Sequence, residues 1–185
     1  MQIIDFNSDF KGFGNQEDVL LDTGILLALF NKYDGWFTTV NNLFEKHIFG
    51  NDNALFLYVN PCIVNETTYL AKEPFKNYLK SHRSEIFTQS DANALTDSII
   101  NEIDYLIKNE ILLVLDGNKE TVIKQISLCK YLGDADALNL SIANEYGTSF
   151  LTIDNRLVNN ASEVKEKLEN IKNIYFTNPS FRDYR

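Results

Sequence analysis

The amino-acid sequence predicts an α/β protein with a three-layer α/β/α fold, in which helices cover a central parallel sheet of four to five strands. Short apolar runs of strand character alternate with longer segments of helical periodicity, and this alternation is typical of parallel strands joined by helices. The chain has 185 residues, of which 44% are hydrophobic, so one domain can bury a core without disulfides. We expect a single domain over residues 1–185, with residues 1–17 as an N-terminal arm.

Five short segments have strand character. They lie at 18–22, 54–59, 111–115, 149–153 and 174–176, and the last is a short strand expected at the sheet edge. Helices are predicted from Thr23, from Asn60-Pro61, and over 74–81, 91–109, 119–131, 133–146 and 155–168. The start at Asn60-Pro61 is well marked, because Asn caps free N–H groups and Pro fits the first turn. Residues 31–53 contain the turn signals Asp34-Gly35 and Gly50-Asn51-Asp52-Asn53 and stay unassigned.

The charge balance bears on every nucleic-acid hypothesis. The chain has 26 acidic and 17 basic residues, a net charge of −9, and it has no basic tract of the kind that binds phosphates. Lys72, Lys76 and Lys80 repeat every four residues, as on a solvated helix surface or, alternatively, on a strip that guides a substrate. A bound divalent cation would offset part of the negative field.

No apolar segment approaches the ~20 residues of a membrane span, and the N-terminus lacks the basic start of a signal peptide. We therefore expect a cytoplasmic protein with no membrane association. The two cysteines, Cys62 and Cys129, lie in apolar helical patterns and are expected to pack as small hydrophobic side chains.

Four acidic residues lie where strands end or helices begin. Asp22 follows the apolar run 19–21, and Asp154 follows the strand at 149–153. Glu66 lies early in its helix, and Asp136 opens another. Because strand ends and the following helix starts share one edge of a parallel sheet, these four carboxylates are expected to meet there and to hold a divalent metal ion.

The apolar faces of the two helices support this expectation. Glu66 shares a helical stripe with Ile63 and Leu70, and Asp136 shares one with Leu140 and Ala143. A carboxylate on such a stripe is costly unless it is paired or bound to a metal. Asp136 could alternatively interact with the helix dipole as a first-turn residue.

Other polar residues near these acids have two interpretations each. Asp134 is either the N-cap of the Asp136 helix or a further metal ligand. Thr23 and Thr152 are either ordinary strand or cap residues or hydroxyls that orient a carboxylate or a metal-bound water. Asn155 is expected to cap the last long helix, with a hydrogen bond to a metal ligand as the alternative.

The side chains of the four acids favour particular metal ions and a particular reaction. Carboxylate ligands alone favour Mg²⁺ or Mn²⁺ over softer metals, and clustered carboxylates with such ions are suited to phosphodiester hydrolysis. His47 and His82 have no nearby nucleophile motif, and the sequence has neither a phosphate loop nor the close His and Cys spacing of a zinc site.

Together these segments resemble a PIN domain, the metal-dependent nuclease fold of VapC-type toxins and RNA-processing factors. The resemblance rests on four segments: Leu20-Leu21-Asp22-Thr23, the Glu66 helix, Gly133-Asp134-Ala135-Asp136-Ala137-Leu138 and Leu151-Thr152-Ile153-Asp154. It implies one or two Mg²⁺ or Mn²⁺ ions held by Asp22, Glu66, Asp136 and Asp154, and hydrolysis of an RNA substrate. A VapC-type toxin would also have an antitoxin partner and could form a homodimer.

The chain also departs from that family. Segments 1–17, 31–53 and 82–109 add length beyond the compact toxins. In the family, a basic and an aromatic residue often follow the fourth acid, and this chain has only the basic one, Arg156. The high acidity fits an alternative of another class, a noncatalytic PIN-like module that binds protein partners and keeps the acids as a buried polar network.

Overall fold

The protein forms a single six-stranded sheet in the part of the chain that the computed structural model describes, which is residues 1–8, 10–49, 54–82 and 88–183. The strands are β1 (Gln2–Asp5), β2 (Glu17–Leu21), β3 (Leu55–Val59), β4 (Leu112–Val114), β5 (Ser149–Leu151) and β6 (Asn173–Phe176). Their order is β1-β6-β5-β2-β3-β4, and every neighbouring pair is parallel. The predicted α/β fold with a central parallel sheet is therefore confirmed.

The helices that join these strands form two packed groups. They are α1 (Thr23–Phe30), α2 (Phe37–Phe44), α3 (Pro61–Leu70), α4 (Glu73–Ser81), α5 (Gln89–Lys108), α6 (Lys119–Leu132), α7 (Asp134–Tyr146) and α8 (Asn155–Glu163). α1 packs with α2, α3 and α5, whereas α6 packs with α7 and α8. A π-helical turn at Glu45–Phe49 continues α2, and 3-10 turns occupy Lys165–Lys167 and Pro179–Phe181.

The two central strands hold the core. Leu20 and Leu21 of β2 and Phe150 and Leu151 of β5 are at most 1% exposed. A parallel strand covered by helices on both faces needs apolar residues in succession, which is why β2 ends in Val19-Leu20-Leu21 and β5 in Phe150-Leu151. The core of the domain therefore lies around the β2–β5 pair.

The chain changes direction across the sheet at this same pair. From β2 it proceeds to β3 and then β4 on one side, and it later returns to form β5 and β6 on the other side. The strand order thus reverses between β2 and β5. In open parallel sheets, ligands bind beyond the carboxyl ends of the strands at such a point.

The strand count and the sheet edge differ from the prediction. β1 lies within the predicted arm and pairs with β6 from Gln2 opposite Asn173 to Asp5 opposite Phe176. β1 is therefore the edge strand, and β6 is an interior one. The four residues of β1 are too few to show a period of two, and Ile3 and Ile4 are their only apolar residues.

Other predicted boundaries hold with small corrections. Asn60 caps α3, since its side-chain oxygen accepts a hydrogen bond from the Ile63 backbone N–H. The helix predicted to run to residue 168 ends at Glu163, and the unassigned residues 31–53 contain α2. The turn predicted at Gly50-Asn51-Asp52-Asn53 lies outside the described residues. None of the helices in the described ranges is both long and apolar enough to span a membrane.

A buried carboxylate joins three strands at the amino-terminal edge of the sheet. Glu17 is 6% exposed and accepts hydrogen bonds from Ser149 Oγ at 2.5 Å, from the Tyr175 hydroxyl at 2.9 Å, from Asn173 Nδ2 at 3.1 Å and from the Gly14 backbone N–H at 2.6 Å. Burial alone would raise the pKa of Glu17, but these donors together lower it below its ordinary value. The charged carboxylate thus stabilises the alignment of β2, β5 and β6.

We expect Glu17→Gln to lower the free energy of unfolding by roughly 2–3 kcal/mol, because a buried amide cannot accept from all of these donors. Urea unfolding monitored by circular dichroism measures the change. Glu102→Gln, on the exposed face of α5, is the matched control and should stay within about 0.5 kcal/mol of the wild type. Equal stability of both variants would contradict the structural role of Glu17.

Candidate active-site cleft

A cleft of about 500 Å³ opens beyond the carboxyl ends of β2 and β5. All four acids predicted to meet there line it, namely Asp22, Glu66, Asp136 and Asp154. The other walls include the apolar side chains of Leu27, Trp36, Leu70 and Ile153 and the basic side chains of Arg156 and Arg182. The cleft thus lies at the point where the strand order reverses, as expected for a ligand site in an open parallel sheet.

Asp22 is the most buried of the four acids, at 7% exposure. It follows β2 directly and is the N-cap of α1, because its Oδ1 accepts from the Thr23 backbone N–H at 2.8 Å. Its Oδ2 accepts from Thr152 Oγ1 at 2.6 Å, and its own N–H donates to the Leu151 carbonyl at 2.9 Å. The side chain and the backbone of Asp22 are thus both hydrogen-bonded to residues in or directly after β5.

The electrostatic environment of Asp22 favours its protonated form. Burial raises the pKa of this carboxyl to about 7, and the negative charges of Asp136 and Asp154 act in the same direction. The hydrogen bonds from Thr152 and the Thr23 N–H oppose this increase only in part. Asp22 is therefore a carboxyl group that gives up its proton near neutral pH.

Glu66 is held in the cleft by Thr23, whose Oγ1 donates a hydrogen bond to Glu66 Oε2 at 2.7 Å. Thr23 begins α1 and Glu66 lies in α3, so this contact joins two helices that pack against each other. Of the two interpretations of Thr23 and Thr152, the structure shows the one in which each hydroxyl orients an acidic side chain.

Asp136 lies half-buried in the first turn of α7. Burial raises its pKa to about 6, the charges of Asp154 and Glu66 add to this effect, and Arg156 opposes it. Burial also raises the pKa of the Cys62 thiol, again with contributions from Glu66 and Asp136. The acidic groups of the cleft are thus close enough to influence one another.

Asp154 both lines the cleft and caps α8. Its Oδ1 accepts from the backbone N–H groups of Arg156 and Leu157 at 2.8 and 3.1 Å, and its own N–H donates to Thr152 Oγ1 at 3.0 Å. Thr152 therefore bridges Asp22 and Asp154. The cap predicted at Asn155 was wrong, since Asn155 is the first helical residue and its side chain donates to the Thr177 carbonyl at 2.9 Å.

Asp134 lies elsewhere. The N-cap of α7 is Gly133, with a φ of 88° and no side-chain cap bond, so of the two interpretations of Asp134 the one as N-cap is wrong. Asp134 is exposed, does not line the cleft, and lies beside Cys129, whose thiol pKa is raised by burial and by a hydrogen bond to Asp134. Its predicted role as a metal ligand gains no support from this position.

Sequence reasoning missed two further residues of the cleft. Trp36, the only tryptophan in the chain, lies in the loop before α2. Its backbone N–H donates a hydrogen bond to Asp34 Oδ1 at 2.8 Å. Arg182 follows the 3-10 turn Pro179–Phe181 near the end of the chain. Neither residue stands at a strand end or on a periodic apolar face, so no local pattern pointed to them.

The donor atoms suit a hard cation, although they are not gathered into a closed coordination site. Among the described residues, no three His, Cys, Asp or Glu side chains are grouped so as to hold a metal ion. The four acids nevertheless offer only carboxylate oxygens, the ligands that Mg²⁺ and Mn²⁺ prefer. Burial raises the pKa of Asp22 and Asp136, and the repulsion between the acids, which adds to this increase, is what a bound cation would relieve. By donor chemistry, the cleft fits such an ion.

The chain is similar in structure to proteins of known three-dimensional structure. The crystal structure of FitAcB from Neisseria gonorrhoeae matches 88% of this chain and 98% of its own, with a TM-score of 0.52 and 14% identity. The structure of FitAB bound to an IR36 DNA fragment matches 86% of this chain and 94% of its own, with a TM-score of 0.50 and 13% identity. No family model matches the sequence, and no curated protein matches it either. At this level of identity, the likeness establishes a shared fold.

We expect the stability of the metal-free protein to decrease as the pH rises towards 8. The pKa of Asp22 is about 7 in the folded state, against an ordinary value of 3.8, so the folded state retains a proton that the unfolded chain releases. This contribution is fully present below the ordinary pKa and is lost as the pH rises through the folded pKa. At about 1.4 kcal/mol per pKa unit, it amounts to a few kcal/mol.

Urea unfolding in a chelator at about pH 5 and pH 8 measures this dependence. In Asp22→Asn the dependence should shrink to the part that Asp136 contributes, because the amide resembles the protonated acid and has no proton to lose. Asp97→Asn, on the exposed face of α5, should keep the wild-type dependence. If Asp22→Asn and the wild type lose equal stability between about pH 5 and pH 8, the pH dependence does not come from Asp22.

Proposed function

The chain has the PIN-like fold that its motifs predicted, and we propose that it is a metal-dependent endoribonuclease that hydrolyses RNA phosphodiesters in its acidic cleft. The observation that supports this proposal is the meeting of Asp22, Glu66, Asp136 and Asp154 in one cleft. They come from four separate segments, and packing them together has a cost in repulsion that a purely structural site would avoid.

We propose that these four carboxylates hold Mg²⁺ or Mn²⁺. When bound, such an ion supplies an activated water and stabilises the leaving oxygen of a phosphodiester. The protein contributes orientation, because Thr152 fixes the Asp22 carboxylate and Thr23 fixes that of Glu66. Arg156 and Arg182 place positive charge on the cleft wall, where an RNA phosphate would otherwise face only acids.

We further propose that the protein acts as the toxin of a toxin–antitoxin pair. This rests on the resemblance of its motifs to VapC-type toxins. An antitoxin encoded by a small neighbouring gene would be the partner, and a homodimer is the proposed form of the toxin. Co-expression with that neighbour should relieve growth inhibition and give a stable complex on gel filtration.

A noncatalytic module is the second candidate. The absence of a closed group of three metal-binding side chains among the described residues favours it. So does the state of Asp22, whose two oxygens already accept hydrogen bonds. In that case the acids form a polar network, and the protein should neither bind Mn²⁺ in the cleft nor cleave RNA.

Asp22→Asn should abolish Mn²⁺ binding and lower the RNA cleavage rate by roughly 100-fold or more, with the fold intact. The amide keeps the shape of the side chain but removes a charge from the metal. Trp36 lines the cleft, so quenching of its fluorescence by Mn²⁺ reports binding independently of activity.

The matched control for this test is Asp134→Asn, which removes one negative charge from the same helix as Asp136, outside the cleft. It should leave Mn²⁺ binding and cleavage unchanged, and a loss there would restore Asp134 as a ligand. Wild-type cleavage by Asp22→Asn would overturn the site assignment. A wild type without Mn²⁺ binding or cleavage would favour the noncatalytic module.

RNA affinity should depend weakly on salt, because the net charge is −9 and few basic residues line the cleft. We expect a slope of log K against log salt that corresponds to roughly two to four phosphate contacts, at about 0.7 per contact for single strands. Binding of RNA to Asp136→Asn, which should cleave slowly because it lacks one proposed metal ligand, measures this slope across a salt series with and without Mg²⁺. A steep slope that is independent of Mg²⁺ would instead show that a basic surface dominates recognition.

A further inference from the structure

A second cavity continues the acidic cleft along the surface. This side groove has a volume of about 420 Å³ and shares Leu27, Leu70 and Arg182 with the cleft as common walls. Most of its remaining walls come from the loop after α1, with Tyr33, Asp34 and Gly35, and from α4, with Glu73, Asn77 and Tyr78. Asp183, next to Arg182, also lines it. An extended ligand that is bound in the cleft can therefore continue past Arg182 into the side groove.

We propose that the side groove binds the RNA nucleotide next to the cut site, with Arg182 contacting its phosphate and Tyr33 and Tyr78 contacting its base. This inference rests on the proposed function, since it assigns a substrate subsite to the same cleft. The occupant is single-stranded RNA, because a base inside a duplex would not be free to enter the groove.

The aromatic wall suits a base. Tyr33 packs edge-on against Phe75, with ring centroids 4.4 Å apart, and lies 5.1 Å from the ring of Tyr78. The Tyr78 ring is in turn stacked on His82 at 3.9 Å. These contacts fix the rings before a ligand arrives, so a base would meet a preformed surface at little cost in side-chain entropy.

Arg182 is placed at the boundary of the two cavities by contacts of its backbone. Its N–H donates to the Pro179 carbonyl at 3.1 Å, and the N–H of Asp183 donates to the Gly35 carbonyl at 2.7 Å. A Cβ added at Gly35 would come within 2.8 Å of Arg182 Nε and 2.9 Å of the Asp183 carbonyl oxygen. The absence of a side chain at Gly35 is therefore what lets the arginine lie there.

The charges of the side groove separate the phosphate from the base. Among the lining residues that the structure describes, Arg182 is the only cation, whereas Asp34, Glu73 and Asp183 are acidic. A phosphate inside the groove would meet these carboxylates, so it is favoured only beside Arg182, at the boundary with the cleft. The neutral base carries no such penalty and can occupy the groove itself.

The test measures binding of short single-stranded RNA to the full chain carrying Asp136→Asn, in Mg²⁺ and across a salt series. Arg182→Gln should lower the salt slope by about 0.7, the loss of one phosphate contact. Tyr78→Ala should weaken binding by about tenfold with the slope unchanged, because stacking involves no counterion. An abasic nucleotide next to the cut site should remove the effect of Tyr78→Ala.

Two further variants complete the design. Gly35→Ala keeps the charge of Arg182 but displaces it, and should reproduce the reduced slope. Lys108→Ala removes a cation that is paired with Asp104 on α5, away from both cavities, and should change neither slope nor affinity. Unchanged slope in Arg182→Gln and unchanged affinity in Tyr78→Ala would overturn the inference.

The outcomes also separate this inference from the proposed function. If the wild type cleaves RNA but the side-groove variants bind like their background, the subsite is wrong and the nuclease assignment stands. If the variants show the expected losses but the wild type cleaves no RNA in Mn²⁺, the subsite stands as an RNA-binding site and the nuclease assignment fails. If neither the wild type nor the Asp136→Asn background binds RNA, both are overturned.

Discussion

The site depends on the hydrogen bond from Thr152 Oγ1 to Asp22 Oδ2. It joins the ends of the two strands between which the strand order reverses, and it does so with a buried carboxylate. Asp22 also caps α1, from which Thr23 reaches Glu66, and Thr152 also accepts from the N–H of Asp154. Three of the four acids are thus positioned by two threonines that follow neighbouring strands.

Strand β2 carries a buried carboxylate at each end, and the two have opposite properties. Glu17 accepts from four donor groups, which lower its pKa and keep it charged. Asp22 accepts from only two, and burial together with the charges of Asp136 and Asp154 raises its pKa to about 7. The balance of hydrogen-bond donors against burial and like charges therefore distinguishes a carboxylate that stays charged and stabilises the sheet from one that holds its proton up to near neutral pH.

The sequence was most informative where local pattern and position in the sheet coincide. Asp22, Glu66, Asp136 and Asp154 each stand at a strand end or on a helical stripe, and the structure brings all four into one cleft. Arg182 and Trp36 reach it through packing between distant segments, and β1 is too short for a periodic signal. Choices between adjacent residues, such as Asp154 against Asn155 as a cap, depend on backbone geometry that composition does not determine.

The pairing of β2 with β5 also determines at which stage of synthesis and folding the cleft can form. The hydrogen bond between Asp22 and Thr152 spans 130 positions of the chain, so its formation requires the closure of a very long loop. A growing polypeptide on the ribosome holds Asp22 and Glu66 long before Asp136, Thr152 and Asp154 have been added. The cleft is therefore assembled among the last parts of the domain, and a chain that ends before residue 152 carries Asp22 and Glu66 but lacks the hydrogen bond from Thr152 that orients Asp22.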